Sequence, residues 1–233
     1  MDRLETIREN ATFKDITQGQ LLHLSLIILM VLGAISLLIP SSEEPRFLGW
    51  TNRDWAVCSI ALAVIHQVIV AFVFRMQLYK AMMTRAFGDK AMKIWAAIFM
   101  PFLITRPLTI IAVGWLDPNP ITQYRLAELV IGWALILLAI VTMHSVINYF
   151  TIPRALGAYH FDNDVIEMPL VREGMFRFTS NGMYGIVFLG LWGIALAFGS
   201  WNALVVALFQ HSYIWVHMYL TEKPDMDRIY EGR

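Results

Sequence analysis

Residues Trp55–Phe74 read WAVCSIALAVIHQVIVAFVF, 20 residues without one formally charged side chain. A helix of that length rises about 30 Å, the thickness of a bilayer's hydrocarbon core. Hydrocarbon offers no partner for backbone N–H and C=O groups, so helix is the only conformation such a run can adopt there. Three other runs are long enough to cross and nearly uncharged: Leu21–Ile39, Ile94–Leu116 and Leu126–Phe150. Two more apolar stretches, Met183–Phe198 and Trp201–Leu220, are joined by Gly199-Ser200 and predict a tight helical hairpin that either spans or re-enters. The expected fold is therefore all-α: a polytopic membrane protein with four transmembrane helices plus a C-terminal hairpin. Residues 1–150 supply the N-terminal membrane helices. Residues 151–233 supply a cytosol-facing cofactor segment, the hairpin and a tail, all parts of one integrated domain.

Composition points the same way. Of 233 residues, 58% are hydrophobic and only 15% charged, with a mean hydropathy of +0.56. A soluble domain is about 25% charged; this chain has too little polar surface to solvate a globule. Its 18 basic and 18 acidic residues form no dense basic block, which argues against a nucleic-acid partner. The N-terminus lacks the basic stretch and cleavage site of a signal peptide, so the first apolar run reads as a retained span. Cys58, the single cysteine, lies inside an apolar run and has no partner for an intrachain disulfide.

Basic residues alternate along the loops. Three precede the first span, two follow it, five follow the second (Arg75, Lys80, Arg85, Lys90, Lys93) and one, Arg125, follows the third. Three more lie between the fourth span and the hairpin, and three in the tail. Positive charge marks the cytosolic side, which places both termini, the second loop and the Thr151–Gly182 segment in the cytosol. The membrane itself is either a bacterial inner membrane or the endoplasmic reticulum.

Absent motifs exclude several chemistries. No Gly-rich dinucleotide fingerprint follows a strand, and no Walker loop exists. The six histidines lack the i, i+3 or i, i+4 clustering of a helical metal site, and no metal is expected. His211 and His217, six residues apart, point about 240° apart around a helix. His23, His66 and His144 read as hydrogen-bonded packing residues. Arg106 lies mid-span in Pro101-Phe-Leu-Ile-Thr-Arg106-Pro107. An arginine there costs at least ~2.5 kcal/mol. It is either satisfied by carbonyls freed by the two prolines, in contact with a lipid headgroup or cofactor, or snorkelling from a shifted span.

The region from Pro153 onward differs from the rest. It contains Pro153-Arg-Ala-Leu-Gly-Ala-Tyr159, then Leu170-Val-Arg-Glu-Gly-Met-Phe-Arg-Phe178 and Thr179-Ser-Asn-Gly-Met-Tyr184. The hairpin follows, and after it Thr221-Glu-Lys-Pro-Asp-Met226. This order resembles the integral-membrane methyltransferases that include phospholipid N-methyltransferases and isoprenylcysteine carboxyl methyltransferases, with the ending closest to the phosphatidylethanolamine branch. Arg154, Leu156 and Gly157 match an R-x-L-G element. Leu170, Val171, Gly174, Phe176, Arg177, Phe178, Met183 and Tyr184 match a second element, and Glu222 and Pro224 an E-E-P. The chain departs at Ser180-Asn181-Gly182, where the family has R-H-P, and at Lys223, which replaces the second glutamate. Asn181 can hydrogen-bond but cannot act as a base.

The resemblance implies S-adenosylmethionine as cofactor, with S-adenosylhomocysteine as product, bound where the hairpin meets the tail. Arg177, Asn181, Gly182, Met183, Tyr184, Tyr213 and Glu222 are the expected cofactor contacts, with Tyr219 a further wall candidate. Glu222, His211 and Tyr159 are the candidate catalytic groups. Arg106, Arg154 and His217 are the candidate contacts to the lipid. The expected reaction is methyl transfer to the amino headgroup of a membrane phospholipid, phosphatidylethanolamine and its partly methylated forms, toward phosphatidylcholine. Carboxyl methylation of a prenylated cysteine is the alternative. A non-enzymatic small transporter built around Arg106 and a broken third span is the rival from another class.

Overall fold

The computed structural model describes residues 2–39, 46–117 and 119–231; Arg233, counted above among the basic residues of the tail, lies outside them. Two short helices open the chain, α1 (Arg3–Glu9) and α2 (Phe13–Thr17). The first long helices follow: α3 (Gln20–Leu37), α4 (Asn52–Lys80), then short α5 (Met82–Phe87) and long α6 (Ala91–Leu116). Helix α7 (Arg125–Ser145) ends in a π-helical turn, Val146–Phe150. Short α8 (Ile152–Ala155) and α9 (Asn163–Glu167) lie in the segment after it. Then come a π turn at Gly182–Val187, α10 (Leu189–Phe198) and α11 (Trp201–His217). A third π turn, Met218–Glu222, leads into α12 (Lys223–Ile229).

Among the described residues, five helical stretches are long and apolar enough to cross a membrane: Phe13–Leu37, Asn52–Lys80, Met82–Leu116, Arg125–Phe150 and Trp201–Ile229. Gly182–Phe198 is a shorter apolar helix, about 25 Å long at the α-helical rise. The chain is an integral membrane protein, as its composition requires. All four predicted spans and both arms of the hairpin form where expected. The last arm is longer than expected, running past Leu220 as far as Ile229.

Helix α11 is the hub, packing against α3, α4, α6 and α10. Its small and branched residues Ala203, Val206 and Ala207 are completely buried against Ala56, Ile60 and Ala63 of α4 and Ile110 and Val113 of α6. Outward-facing residues such as Leu21, Leu29, Leu126 and Val130 stay exposed, which suits a lipid-facing surface whose solvent is as apolar as the side chains themselves. Helix α4 begins at a reciprocal cap: the Asp54 N–H donates to Thr51 Oγ1 at 3.2 Å and the Thr51 N–H to Asp54 Oδ2 at 2.9 Å. At that end of the bundle Asp117 Oδ2 accepts from Ser200 Oγ at 2.6 Å and from the Asn202 N–H at 2.8 Å. These bonds fix the turn between α10 and α11.

Helix α10 leans on α7 as well as on α11, so the hairpin is built into the bundle. The close approach is made by glycines. A Cβ on Gly193 would lie 2.6 Å from the Gly132 carbonyl oxygen on α7. Small residues at such contacts let backbones approach, which is how helices associate where hydrophobic burial gives no net drive. Gly185, by contrast, has open space around it. Gly193→Ala should lower stability in detergent by about 1–3 kcal/mol through overpacking, while Gly185→Ala should leave the thermal melting midpoint unchanged.

Candidate functional site

One end of the bundle holds a cavity of about 600 Å³ between α4, α6, α7, the 152–184 segment and the final helical run. Volumes of about 300–1,000 Å³ are typical of small-molecule sites. Its lining is largely apolar, including Phe74, Phe99, Leu103, Phe150, Phe176 and Phe188. Each of the three π turns contributes to the wall: Val146 and Phe150 from the first, Met183, Tyr184 and Val187 from the second, Met218 and Glu222 from the third. A π turn rotates the side chains after it out of α-helical register, and such turns recur at functional sites.

Glu222 is the acid at the centre of this wall. Tyr184 Oη donates to its Oε1 at 2.5 Å, and His217 Nε2 lies 3.4 Å from the same oxygen. The Glu222 side chain is 12% exposed. Tyr159 is also in the wall. Burial and then the Glu222 carboxylate push its phenol well above its ordinary value, so it stays protonated and acts as a hydrogen-bond donor.

Behind Glu222 sits a second acid, Asp225, fully buried. Arg75 Nη1 pairs with its Oδ1 at 2.9 Å and His160 Nε2 with its Oδ2 at 3.1 Å. Arg75 also donates to the carbonyls of Asp15 at 3.1 Å, Gln18 at 3.2 Å and Leu220 at 3.2 Å. One arginine on α4 thus ties the N-terminal segment to the start of the tail. The N-terminus closes the same region: Arg3 donates to the Ile229 and Arg228 carbonyls at 2.9 and 2.8 Å. Leu4 and Ile7 of α1 are buried against Leu78, Ile166 and Ile229.

The loop is shaped by glycine and one tryptophan. Gly157 has φ +80°, and a Cβ there would fall 2.4 Å from Phe74 Cζ. Phe74 in turn stacks on His160 with centroids 4.1 Å apart. Trp95 Nε1 donates to the Leu156 carbonyl at 2.8 Å, pinning the loop to α6.

The structure brings Tyr159, Asn181, Met183, Tyr184, Glu222, Arg106 and Arg154 to the cavity wall. Arg154 reaches the Pro169 carbonyl at 3.3 Å with its guanidinium over the Phe150 ring. Gly182 is buried, nearest Thr142 of α7 and Phe176. His217 is completely buried behind Glu222, its ring 5.9 Å from that of His23. His211, Tyr213 and Arg177 are not in the wall. His211 accepts from Trp192 Nε1 at 3.0 Å, Tyr213 is sealed between His23 and Phe209, and Arg177 is exposed on the loop. Tyr219 is exposed and stacks on Trp215. Of the packing histidines, His23 and His66 are buried but His144 is exposed. Helix α6 runs unbroken through Pro101 and Pro107, and Arg106 bonds to side chains, Gln210 and His66. No cluster of metal-ligating side chains occurs among the described residues.

Sequence reading passed over Asp225, Arg75, His160, His66 and Gln210. For His66 and Gln210 the signal was polarity inside runs otherwise apolar, and for Asp225 its place three residues after Glu222.

Residues 127–233 match the phospholipid methyltransferase family. The chain is 26% identical over 123 residues to a phosphatidylethanolamine N-methyltransferase of Talaromyces marneffei, covering 52% of the chain and 12% of the relative. It is 28% identical over 107 residues to one of Meyerozyma guilliermondii, 45% of the chain and 12% of the relative. Over 61 residues it is 36% identical to one of Clavispora lusitaniae, 26% of the chain and 7% of the relative. The match thus spans 12% or less of these relatives' own length. No solved structure matches the chain. The segment of the family match carries every cavity residue from Met143 to Tyr230, whereas His66, Phe74, Phe99 and Arg106 come from helices before it.

Removing one partner from a buried ion pair leaves an uncompensated charge and costs about 3–5 kcal/mol. Asp225→Ala should lower stability by that amount in a denaturation series. Arg75→Met combined with Asp225→Leu should recover most of it.

Proposed function

We propose that this chain transfers a methyl group from S-adenosylmethionine to the amino headgroup of a membrane phospholipid, phosphatidylethanolamine and its partly methylated forms. The observation that carries the reading is Glu222, held by Tyr184 on the wall of an apolar cavity inside a segment of the phospholipid methyltransferase family. The relatives' names support the amine acceptor over a prenylcysteine carboxylate.

The residues present suit the donor. A cation attracts aromatic faces and carboxylates, and the wall offers Tyr184, Phe176 and Glu222 beside the Asn181 amide and Met183. S-adenosylmethionine supplies, when bound, an electrophilic methyl group on a sulfonium. The acceptor is an ammonium at neutral pH and must lose a proton before its nitrogen has a lone pair to attack with. Glu222 is the group to take that proton. Tyr184 and Tyr159 orient its carboxylate, and His217 Nε2 stands 3.4 Å from it on the buried side. Tyr159, held protonated, donates a hydrogen bond and does not act as the base. The apolar wall excludes bulk water and strengthens every charge interaction inside. Acyl tails remain in the bilayer while the headgroup enters between helices, so binding fixes its orientation. The distribution of Lys and Arg supports an orientation with both termini and the cavity mouth on the cytosolic side.

The test is thin-layer analysis of lipids from cells that lack their own phosphatidylethanolamine methylation. Wild type should yield methylated phosphatidylethanolamine species. Glu222→Gln should cut the yield by about 100-fold or more, the scale of general-base catalysis, and Tyr184→Phe by about tenfold. Equal product from wild type and Glu222→Gln defeats the assignment.

A further inference from the structure

Arg106 is 5% exposed and lies in the middle of α6, yet among the described residues no carboxylate comes within ion-pair distance of it. Every other strongly buried arginine or acid described above has a charged partner. Charges in a membrane interior are expensive and almost always pair with one another or face a cavity. Arg106 faces the cavity.

Its surroundings hold the guanidinium in place and leave its charge intact. Nη1 donates to Gln210 Oε1 at 3.2 Å and Nη2 lies 3.2 Å from His66 Nδ1. Gln210 Nε2 donates to Ser59 Oγ at 3.0 Å, Ser59 Oγ lies 2.6 Å from Thr109 Oγ1, and Thr109 Oγ1 donates to the Arg106 carbonyl at 3.1 Å. This network is built wholly from neutral groups. The Phe188 ring lies 5.5 Å from the guanidinium carbon, and His66 is stacked on Phe102. His66 is 1% exposed, lines the cavity, and its Nε2 has no hydrogen-bond partner among the described residues. The cluster therefore presents one fixed positive charge, spare N–H donors of a planar fork and an unpaired imidazole nitrogen to a low-dielectric space. A guanidinium fork fits a carboxylate or a phosphate, engaging two oxygens at once.

The geometry points to an oxyanion subsite formed by Arg106 and His66 in the cavity wall, with Gln210 as a positioning residue. It rests on the methyl-transfer reading and gives that cavity two complementary charges: the Glu222 carboxylate for cations and the Arg106 guanidinium for an oxyanion. Two groups of that reading carry such an oxyanion, the phosphodiester of the lipid head and the carboxylate of the donor's methionine end. The subsite is assembled by α4, α6 and α11, so two of its three helices precede the family segment.

Direct binding tests it without turnover, so the result stands apart from whether methyl transfer occurs. On detergent-solubilised full-length protein, calorimetry compares S-adenosylhomocysteine with its decarboxylated analogue. The ³¹P resonance of dihexanoyl phosphatidylethanolamine reports the lipid, with dihexanoylglycerol as the competitor that lacks phosphate. In wild type, at least one parent should bind tenfold or more tightly than its anion-free analogue, and Arg106→Gln should remove that preference. Loss confined to S-adenosylhomocysteine assigns the subsite to the donor carboxylate, and loss confined to the phospholipid assigns it to the phosphate. If both anion-free analogues compete with wild type as well as their parents do, the subsite is refuted before any variant is made. Binding of both parents by Arg106→Gln within threefold of wild type refutes it equally. Should Arg106→Gln not fold, Arg106→Lys takes its place; it keeps the charge, loses the fork, and should still weaken the parent ligand by about tenfold.

Discussion

The buried pair between Arg75 and Asp225, at 2.9 Å, is the interaction on which the site depends. Taking two ions out of water costs several kcal/mol each, and their attraction repays that only when the remaining donors and acceptors are satisfied. Here four backbone carbonyls accept from the Arg75 Nη groups and His160 holds the second carboxylate oxygen, while Arg75 Nε has no hydrogen-bond partner among the described residues. The consequence is positional. Arg75 is on the long helix of the first half, Asp225 is three residues past Glu222, and His160 is on the connecting loop. Joining them turns the final π turn so that Glu222 meets Tyr184 over the cavity.

A carboxylate in that position has two neighbours of different kinds. Tyr184 donates to it at 2.5 Å, and Tyr159 is held protonated by burial and by the Glu222 carboxylate itself. His217 is fully buried with its Nε2 3.4 Å from Glu222. The cavity in front is apolar, which sharpens the contrast between the charged end and the walls.

The membrane fold was legible in the sequence because lipid leaves so little choice: Trp55–Phe74 and its counterparts are uncharged or nearly so for a bilayer's thickness, and helix is the only way to satisfy their backbone. Residues that touch across space were harder. Tyr184 and Glu222 could be placed together because they fall at recognisable positions flanking the hairpin. Tyr213 belongs to the same helix as Glu222 but faces His23, a rotation set by packing with α3 that one helix alone cannot disclose. His66 and Gln210 looked like isolated polar residues in apolar runs. Only the side-by-side packing of α4, α6 and α11 shows that both serve Arg106. The Arg75–Asp225 pair spans 150 residues of sequence, and no local pattern signals such a contact.

The family segment does not enclose the site alone. His66, Phe74, Phe99 and Arg106 come from helices before residue 127, so the first half of the chain completes the cavity. That account is tested most directly by a structure determined with S-adenosylhomocysteine bound. It should lie in the cavity beside Tyr184 with a polar end against Glu222. Density for it on another face of the bundle, with this cavity filled only by acyl chains, would contradict the account.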